Sequence, residues 1–309
     1  MKIAVIGAGA VGGYFGGRLA SSSQDVVFLV RGKTFGALRA GPLRVKSVAG
    51  DFEVRVRATE DPAEMDSADV VLVAVKAWQV AEAAEFIVRM GSSDSVIVPL
   101  QNGMEAPEQL AAVLGPGRVA GGLCRIVAEA VRPGEIRHSW AEPSIEFGQL
   151  EPLPNGQRLE DLRNAFTTAG VRCAIPRDIG IAMWRKFLFI TPWGSLGAAT
   201  RLPVGPIRSS PELRARLASA LEEVARLAAA ENKDLGADSG GKTLAVLDGL
   251  APHTTSSMQR DIMAGRPSEL EAQTGAVVRF GRKNGVPTPV HDAIYAQLLP
   301  LEQKARGQA

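Results

Sequence analysis

A single lysine stands in the segment WRKFLFITPWGSLGAAT, residues 184–200, which is otherwise almost entirely apolar. Its neighbours at helical spacing are all apolar: Ala182, Met183, Phe189 and Ile190. A lysine in such a place either lays its stem along apolar surface and extends its ammonium into water, or is a desolvated amine that hands a proton to a substrate. The segment alone leaves both interpretations open, so Lys186 is a candidate catalytic residue.

A glycine-rich turn, GAGAVG, directly follows the strand pattern KIAVI and opens the helical pattern VGGYFGGRLA. Gly7 permits the tight turn, Gly9 lets the backbone approach a pyrophosphate, and Gly12 allows close packing of helix and strand. The first amides of the helix, around Ala10 and Val11, supply donors for phosphate. Without a ligand the same residues would form only a tight turn. In this context the spacing predicts a dinucleotide site made by these five residues.

The end of the second strand pattern, DVVFLV, indicates which dinucleotide binds. It runs into Val30-Arg31-Gly32-Lys33, without the acidic residue that would hold the ribose 2′-hydroxyl of NAD. The guanidinium of Arg31 suits a 2′-phosphate, which predicts NADPH rather than NADH. The alternative is that Arg31 and Lys33 are solvated loop residues.

Two polar segments follow strand patterns farther along the chain. VAVKAW carries Lys76 and Trp78, and PLQNGME carries Gln101, Asn102 and Gly103. Ligands of parallel sheets bind at the carboxyl ends of the strands. An Asn-Gly pair alone is typical of an ordinary turn, and a lone lysine is typical of a surface. Their joint position at the edge that carries the glycine turn favours a role in ligand binding.

The segment TTSSMQRDIMAGRPSELEAQTG, residues 254–275, predicts a helix, a turn and a second helix. Ser256 and Gln259 form a capping-box pattern, and Pro267 is expected to begin the second helix, with Glu269 in its first turn. Capping explains most of these polar residues. It does not explain why Ser257 and Glu269 should stand at the facing ends of the two helices, where they could close over a small polar ligand.

The alternation of elements predicts an α/β fold in two domains. Short β-branched runs alternate with helical patterns up to about residue 176: KIAVIG, DVVFLV, DVVLVAV, SVIVPL, RVAGGL, SIEFGQ and VRCAIP. Such runs predict a Rossmann-type, doubly wound parallel sheet. Helical patterns follow over 178–190, 211–233, 240–250, 256–264, 268–284 and 290–305. We therefore predict a Rossmann domain over 1–177 and an all-helical domain over 178–309.

Composition limits the classes of partner. With 309 residues and a net charge of +2, the chain is too balanced in charge to suggest nucleic acid or an anionic membrane as its main partner. No segment approaches the roughly 20 apolar residues of a spanning helix. The two cysteines, Cys124 and Cys173, show no metal-ligand spacing and no disulfide framework. We expect a cytoplasmic protein without a metal, with a small molecule as its partner.

Several segments together resemble the ketopantoate reductase family, whose members use NADPH to reduce 2-dehydropantoate to pantoate. They are KIAVIGAGAVGGYFGGRLA, VAVKAWQV, PLQNG, WRKFL and SSMQRDIMAGRPSELEAQTGAVVRFGRKNGVPTP. The resemblance covers nearly the whole chain. For the cofactor site it implies that Arg31 binds the 2′-phosphate, that Lys76 lies at the cofactor, and that Asn102 lies near both nicotinamide and substrate. It leaves a homodimer open.

For the helical half, the resemblance implies that Lys186 is the catalytic lysine and that Ser257 and Glu269 bind substrate. Lys186, Asn102 and Glu269 are thus the candidate catalytic residues. The expected reaction is the NADPH-dependent reduction of a 2-oxo acid, in which Lys186 protonates the alkoxide. If the enzyme acts in pantothenate biosynthesis, the 2-oxo acid is ketopantoate. Two alternatives remain: an NADP-dependent dehydrogenase of a different hydroxy acid, and a dinucleotide-binding protein without turnover.

One departure from the family pattern bears on the substrate. Family members with the established activity carry asparagines one and two turns after the lysine, where this chain has Ile190 and Gly194. An apolar wall beside a gap accommodates volume better than it fixes a hydroxyl group, which predicts a substrate with a larger, less polar side chain. Thr191 and Ser195 lie one position along. Because a helix turns about 100° per residue, they do not automatically replace the asparagines.

Overall fold

Five parallel strands form one sheet, and the glycine turn follows the first of them. The structure, a computed structural model, describes residues 1–65, 68–91 and 93–308. The strands are β1 (Lys2–Ile6), β2 (Asp25–Leu29), β5 (Arg57–Thr59), β6 (Val70–Val73) and β7 (Val96–Pro99). Their order is β5-β2-β1-β6-β7, so the chain leaves β1 toward one edge and later returns to its other side. The crevice at such a reversal is where dinucleotides bind in Rossmann folds.

The continuous apolar character of these strands reflects cover on both faces. Ile3 and Val5 pack into one hydrophobic core, and Ala4 and Ile6 pack into another on the opposite face. The same alternation continues in β6 and β7. A sheet buried on both sides has no face for polar residues, which is why the pattern lacks the usual alternation.

A second sheet departs from the sequence prediction. It has the order β10-β9-β3-β4, with β8 paired to β9. Its strands are β3 (Leu43–Ser47), β4 (Phe52–Val54), β8 (Ala120–Arg132), β9 (Glu135–Gln149) and β10 (Arg172–Ala174). The patterns RVAGGL, SIEFGQ and VRCAIP contribute to this sheet and not to the parallel one, because β8 and β9 form a long antiparallel hairpin around Gly134, whose φ is +76°. The strands β3 and β4 were not predicted.

The helices of the first half connect and cover these sheets, and every regular element described after residue 178 is helical. The α-helices of both halves are α1 (Ala10–Ser21), α2 (Gly32–Ala40), α3 (Val80–Arg89), α4 (Ala106–Leu114), α5 (Gln157–Thr168), α6 (Ile179–Thr200), α7 (Val204–Ser209), α8 (Pro211–Ala230), α9 (Ser239–Asp248), α10 (Ser257–Met263), α11 (Ala276–Asn284) and α12 (Pro289–Ala305). The predicted class, a Rossmann-type sheet followed by a helical half, is confirmed.

Helix α7 was not predicted, and two of the boundaries that differ from prediction bear on the site. Helix α6 does not end at residue 190 but continues through Pro192 to Thr200, because Trp193 and Leu196 pack into the helical core and offset the hydrogen bond that proline cannot make. The helix expected over 268–284 begins instead with a π-helical turn, Glu271–Gly275. Glu269 therefore lies in a bend before the helix and not in its first turn.

The chain divides into two compact units. One, here called the sheet unit, comprises Met1–Gln101 and Ala106–Ile179, and the other, the helical unit, comprises Asn102–Glu105 and Gly180–Ala309. The sequence predicts a single boundary, at 177/178. Residues 102–105 follow a strand of the sheet unit but pack with the helices.

Substitution of Gly12 tests the packing that the glycine turn requires. A Cβ at this position would collide with the Gly7 carbonyl oxygen and lie 2.9 Å from the Ala74 Cβ. We expect Gly12→Ala to lower the free energy of unfolding by about 1–3 kcal/mol in urea titrations. Gly9→Ala is the matched control, because its Cβ would meet nothing within 4 Å. Equal losses for the two variants would contradict this account of the turn.

Candidate active site

The glycine turn has the features of a phosphate site. Gly7 has φ +95°, a conformation that other residues rarely adopt. Gly9 occupies the N-cap position of α1, where no side chain caps the helix and no acidic residue stands in the first turn. A Cβ at Gly9 would stand in open space. The helix N-terminus, with Ala10 and Val11 as its first residues, thus combines accessible amides with a positive dipole end and fits a pyrophosphate.

Arg31 immediately precedes α2 and makes a two-pronged ion pair. Its Nη1 and Nη2 donate to the two carboxylate oxygens of Glu82 at 2.8 and 2.9 Å, and its guanidinium lies 5.1 Å from the centre of the Phe86 ring. The hydrogen bond to Glu82 raises the pKa of Arg31. The Arg31 side chain is 55% exposed. Because exposed pairs of this kind contribute little, about 1 kcal/mol or less, Glu82 does not prevent Arg31 from receiving a phosphate.

Lys76 and Gln101 follow neighbouring strands of the parallel sheet. Lys76 is exposed, and its ammonium lies 5.7 Å from the centre of the Trp78 ring. The Gln101 amide is buried and donates to the carbonyl oxygens of Val73 and Val75 at 3.0 and 2.9 Å. Gln101 therefore fastens the carboxyl ends of β6 and β7 to each other, whereas Lys76 presents its cation at the surface.

Asn102 and Glu269 meet in the helical unit. The Asn102 Nδ2 donates to the Glu269 Oε2 at 3.0 Å, across 167 positions of sequence. Glu269 is buried and Asn102 is half-buried. This contact fixes the orientation of the amide, because one N–H is committed to the carboxylate and Oδ1 is left as an acceptor. Two of the predicted site residues are thereby brought into direct contact.

The segment 102–105 is held in place by charges and by close backbone packing. The guanidinium of Arg279 donates to both carboxylate oxygens of Glu105 at 2.9 and 2.6 Å, and also to the Glu271 carboxylate at 3.1 Å. The bond to Glu105 raises the pKa of Arg279. Gly103, with φ +104°, lies so close to the Ala272 carbonyl oxygen that a Cβ would collide with it. Asn102 thus reaches Glu269 because its neighbours are fastened to the π-helical turn.

Tyr295 completes this group from α12. Its hydroxyl donates to the Glu271 Oε1 at 2.6 Å. Burial and this hydrogen bond raise the pKa of Tyr295 to about 12, so the phenol stays a neutral donor at physiological pH. Sequence reasoning did not find Glu105, Arg279 or Tyr295. Their types are common on helix surfaces, and no local pattern links residues so far apart.

Lys186 lies on α6 in the apolar environment that the sequence indicated. It is half-buried, as are Phe189 and Ile190, while Ala182 and Met183 are buried. Ile190 lies one turn after Lys186 and is part of the surface beside it. The side chain of Lys186 is thus neither fully solvated nor enclosed.

Ser257 is the first residue of α10, and α10 packs directly on α6. The Ser256 hydroxyl accepts the Gln259 N–H at 3.0 Å and so caps α10 as predicted. The Gln259 side chain does not complete the capping box but donates to the Leu202 carbonyl oxygen at 2.9 Å. A Cβ at Gly194 would lie 3.0 Å from the Ser256 Oγ. The expected gap at Gly194 is therefore wrong, because Ser256 fills it.

Thr191 and Ser195 do not take the place of the missing asparagines. Both are fully buried, and the Ser195 hydroxyl is bonded to the Thr274 hydroxyl at 2.7 Å. The Ser195–Thr274 contact connects α6 to the π-helical turn. Ile190 and the close approach at Gly194 therefore remain the features that distinguish this part of the chain.

Two other classes of site are metal centres and membrane-spanning segments. Among the described residues, no three His, Cys, Asp or Glu side chains are grouped so that they could hold a metal ion. Within the same part of the chain, no helix has the length and apolar character needed to cross a membrane.

Comparison with known proteins decides the family. The model of the ketopantoate reductase family PanE/ApbA matches residues 3–152, and the model of its C-terminal part matches residues 178–302. The chain belongs to the ketopantoate reductase family. Members of this family are NADP-dependent oxidoreductases that act on a C=O or CH–OH group, and their cofactor is NADPH. The chain is accordingly an enzyme of this class.

Relatives cover the whole chain at modest identity. An uncharacterized oxidoreductase of Bacillus subtilis, YkpB, is 30% identical over 98% of this chain and 99% of its own length. A 2-dehydropantoate 2-reductase of Nostoc is 27% identical over 99% and 96%. Among solved structures, a PanE/ApbA family ketopantoate reductase from Ralstonia eutropha has a TM-score of 0.90 at 29% identity, covering 99% of this chain and 100% of its own. D-mandelate dehydrogenase, at 20% identity and TM-score 0.88 over 99% and 100%, shares the fold.

Arg31→Ala tests the cofactor contact. We expect it to weaken NADPH binding about 10- to 100-fold and to leave NADH binding nearly unchanged, because a charge-assisted contact to the 2′-phosphate contributes about 1.5–3 kcal/mol. Fluorescence titration with each cofactor measures this. Arg44→Ala is the matched control, since Arg44 is also an exposed arginine paired to a glutamate, Glu53. Equal losses of both cofactors would show that Arg31 has only a structural role.

Proposed function

We propose that this enzyme reduces a 2-oxo acid to the 2-hydroxy acid with NADPH. The observation that carries the proposal is the hydrogen bond between Asn102 and Glu269, in the same unit as Lys186 and Ser257. An amide, a carboxylate, an ammonium and a hydroxyl supply the donors and acceptors that the carboxylate, carbonyl and neighbouring hydroxyl of such a substrate require.

The residues of the sheet unit fit NADPH. The N-terminus of α1, with the open position at Gly9, would bind the pyrophosphate, and Arg31 would bind the 2′-phosphate. Lys76 adds a cation near the carboxyl end of β6. When bound, NADPH supplies the hydride that reduces the carbonyl carbon.

We assign the role of proton donor to Lys186. Its positive charge stabilises the oxygen that becomes negative as the carbonyl is reduced, and its Nζ–H supplies the proton that converts the alkoxide to the hydroxyl. Its half-buried position among apolar neighbours strengthens the charge interaction, because less water screens it. Glu269 accepts a hydrogen bond from a substrate hydroxyl, and Asn102, oriented by Glu269, holds the reacting end of the substrate.

The substrate side chain is assigned to the surface formed by Ile190. An apolar residue stands where the family has an asparagine, and the packing of Ser256 at Gly194 leaves no room there for a second polar side chain. We propose that 2-oxo acids with less polar side chains react better than ketopantoate. The fold is compatible with this, since D-mandelate dehydrogenase has been solved with anilino(oxo)acetate. A role in pantothenate biosynthesis would require the opposite preference.

Neither Cys124 nor Cys173 takes part in a disulfide. This fits a reducing compartment, and we propose that the enzyme acts in the cytoplasm.

Lys186→Ala tests the proton donor. We expect kcat for NADPH-dependent reduction to fall about 10²- to 10⁴-fold while NADPH affinity changes little, because the lost interaction acts in the transition state. Arg185→Ala is the control, since Arg185 is the adjacent, exposed cation. A Lys186→Ala variant with full turnover would leave Lys186 the role of covering apolar surface.

Ile190→Asn tests the substrate preference. For the wild type we expect a higher kcat/KM with 2-oxoisocaproate or phenylpyruvate than with ketopantoate. The variant should shift the ratio toward ketopantoate by about 3- to 10-fold, since one hydrogen bond contributes about 0.5–1.5 kcal/mol. Gly194→Asn is unsuited to this test because its side chain would displace Ser256. A wild type that prefers ketopantoate by a wide margin would refute the proposed preference and favour pantothenate synthesis.

A further inference from the structure

Glu269 lies outside any helix, yet its carboxylate must keep one position to orient Asn102. Residues 266–268 have no regular structure, Glu269 is in a bend, and the π-helical turn begins only at Glu271. On its C-terminal side, the Glu269 carbonyl oxygen accepts the Gln273 N–H at 3.0 Å, which ties it to the turn. What fixes its N-terminal side is a buried carboxylate on a different helix.

That carboxylate is Glu302, on α12, and it binds the residue just before Glu269. The Ser268 N–H donates to both Glu302 oxygens at 3.0 and 3.1 Å, and the Ser268 hydroxyl donates to the Glu302 Oε2 at 2.5 Å. The same hydroxyl oxygen accepts the Leu270 N–H at 3.2 Å. Ser268 and Leu270 are fully buried. The backbone on both sides of Glu269 is therefore connected to Glu302.

Arg306, the residue that follows α12, completes the arrangement one turn after Glu302. Its Nε lies 2.6 Å from the Glu302 Oε1, and its Nη2 donates to the Ser268 carbonyl oxygen at 2.8 Å. Hence the two peptide groups that flank the Ser268 Cα are both held, one through its N–H and the other through its C=O. The second of these is the peptide bond that joins Ser268 to Glu269.

The energetics favour a role in geometry over a role in stability. Glu302 is only 2% exposed, and burying a carboxylate is costly unless it is paired and hydrogen-bonded. A charged acceptor makes stronger and more directional bonds than a neutral one. The buried Glu302 carboxylate thus costs stability, but it lies where it fixes the residue before Glu269.

We propose that Glu302 is a positioning residue for the reductase reaction, acting through Ser268 and assisted by Arg306 to hold the Glu269 carboxylate against Asn102. This inference rests on the function proposed above, in which Glu269 contacts the substrate. Glu302 itself touches neither substrate nor cofactor in this account.

Glu223 offers a matched control within the same unit. It is 1% exposed, and its carboxylate accepts the backbone N–H groups of Val290 and His291 at 2.7 and 3.2 Å, as well as lying 2.6 Å from the His291 Nδ1. It therefore holds backbone amides at the start of α12 as Glu302 holds Ser268. A loss of buried charge at Glu223 should cost stability without acting on Glu269.

The experiment compares Glu302→Gln, Ser268→Ala and Glu223→Gln in the full-length protein. For each variant, Tm, KM for NADPH, and kcat/KM for the best 2-oxo acid are measured, together with hydrogen exchange of the peptide that covers residues 266–275. We expect Glu302→Gln and Glu223→Gln to lower Tm similarly. Of these two variants, only Glu302→Gln should lower kcat/KM, about 10- to 100-fold, with KM for NADPH unchanged, because a small misplacement of a binding group lowers the rate strongly.

Hydrogen exchange should separate the variants in the same way. We expect the 266–275 peptide to exchange faster in Glu302→Gln but not in Glu223→Gln. Ser268→Ala keeps the Ser268 N–H contact and loses only the hydroxyl contacts, so it should show a smaller change in the same direction. If Glu302→Gln does not fold, Ser268→Ala decides.

Three results would overturn the proposal: kcat/KM unchanged in Glu302→Gln, an equal loss in Glu223→Gln, or unchanged exchange of the 266–275 peptide. In the event that Glu302→Gln fails to fold, unchanged kcat/KM in Ser268→Ala has the same force. A wild type that reduces no 2-oxo acid refutes the proposed function and, with it, the claim about turnover. The exchange measurement still decides whether Glu302 fixes the segment that contains Glu269.

Discussion

The hydrogen bond between the Asn102 amide and the Glu269 carboxylate is the constraint that the helical unit is built to satisfy. Asn102 follows a strand of the parallel sheet, whereas Glu269 lies in a bend between two helices. Neither residue has regular structure of its own to hold it. The contact persists only if both backbone segments are fixed independently, and separate sets of charged side chains do this.

On one side, Arg279 and Gly103 fasten the Asn102 segment to the π-helical turn. On the other, Glu302 and Arg306 fix the residue before Glu269. The π-helical turn connects the two, because Glu271 accepts from Arg279 and Gln273 donates to Glu269. Single π-helical turns occur frequently at functional sites, since they redirect side chains that a regular helix would place elsewhere. Here the turn lies between the two groups that must meet.

Local chemistry made the parallel sheet and its glycine turn predictable. The glycine spacing at Gly7, Gly9 and Gly12 has a steric cause that acts over a few residues. The buried strands are recognised by their continuous apolar composition. The Ser256 cap is local as well. By contrast, the second sheet was missed because its main component is a long hairpin whose outer half mixes polar and apolar residues and is half-exposed or exposed.

For the helical unit, the resemblance named candidate site residues but not the side chains that hold them in place. Resemblance pointed to Asn102 and Glu269, yet their contact spans 167 positions, and the Arg279–Glu105 pair spans 174. Glu302 reaches Ser268 across 34 positions and overrides the helix start that Pro267 suggested. The sequence predicts a gap at Gly194, because it shows that a side chain is absent but not that Ser256 occupies the space.

The central claim is that the enzyme transfers hydride from NADPH to the carbonyl carbon of a 2-oxo acid. Its most direct test is the fate of the hydrogen itself. The enzyme is incubated with NADPH stereospecifically deuterated at C4, in separate reactions for the two faces, and the 2-hydroxy acid is examined by mass spectrometry and proton NMR. The account predicts one deuterium at C2 of the product from one of the two cofactors and none from the other. Oxidation of NADPH without deuterium in the 2-hydroxy acid from either of the two cofactors, or no oxidation with any 2-oxo acid, would contradict it.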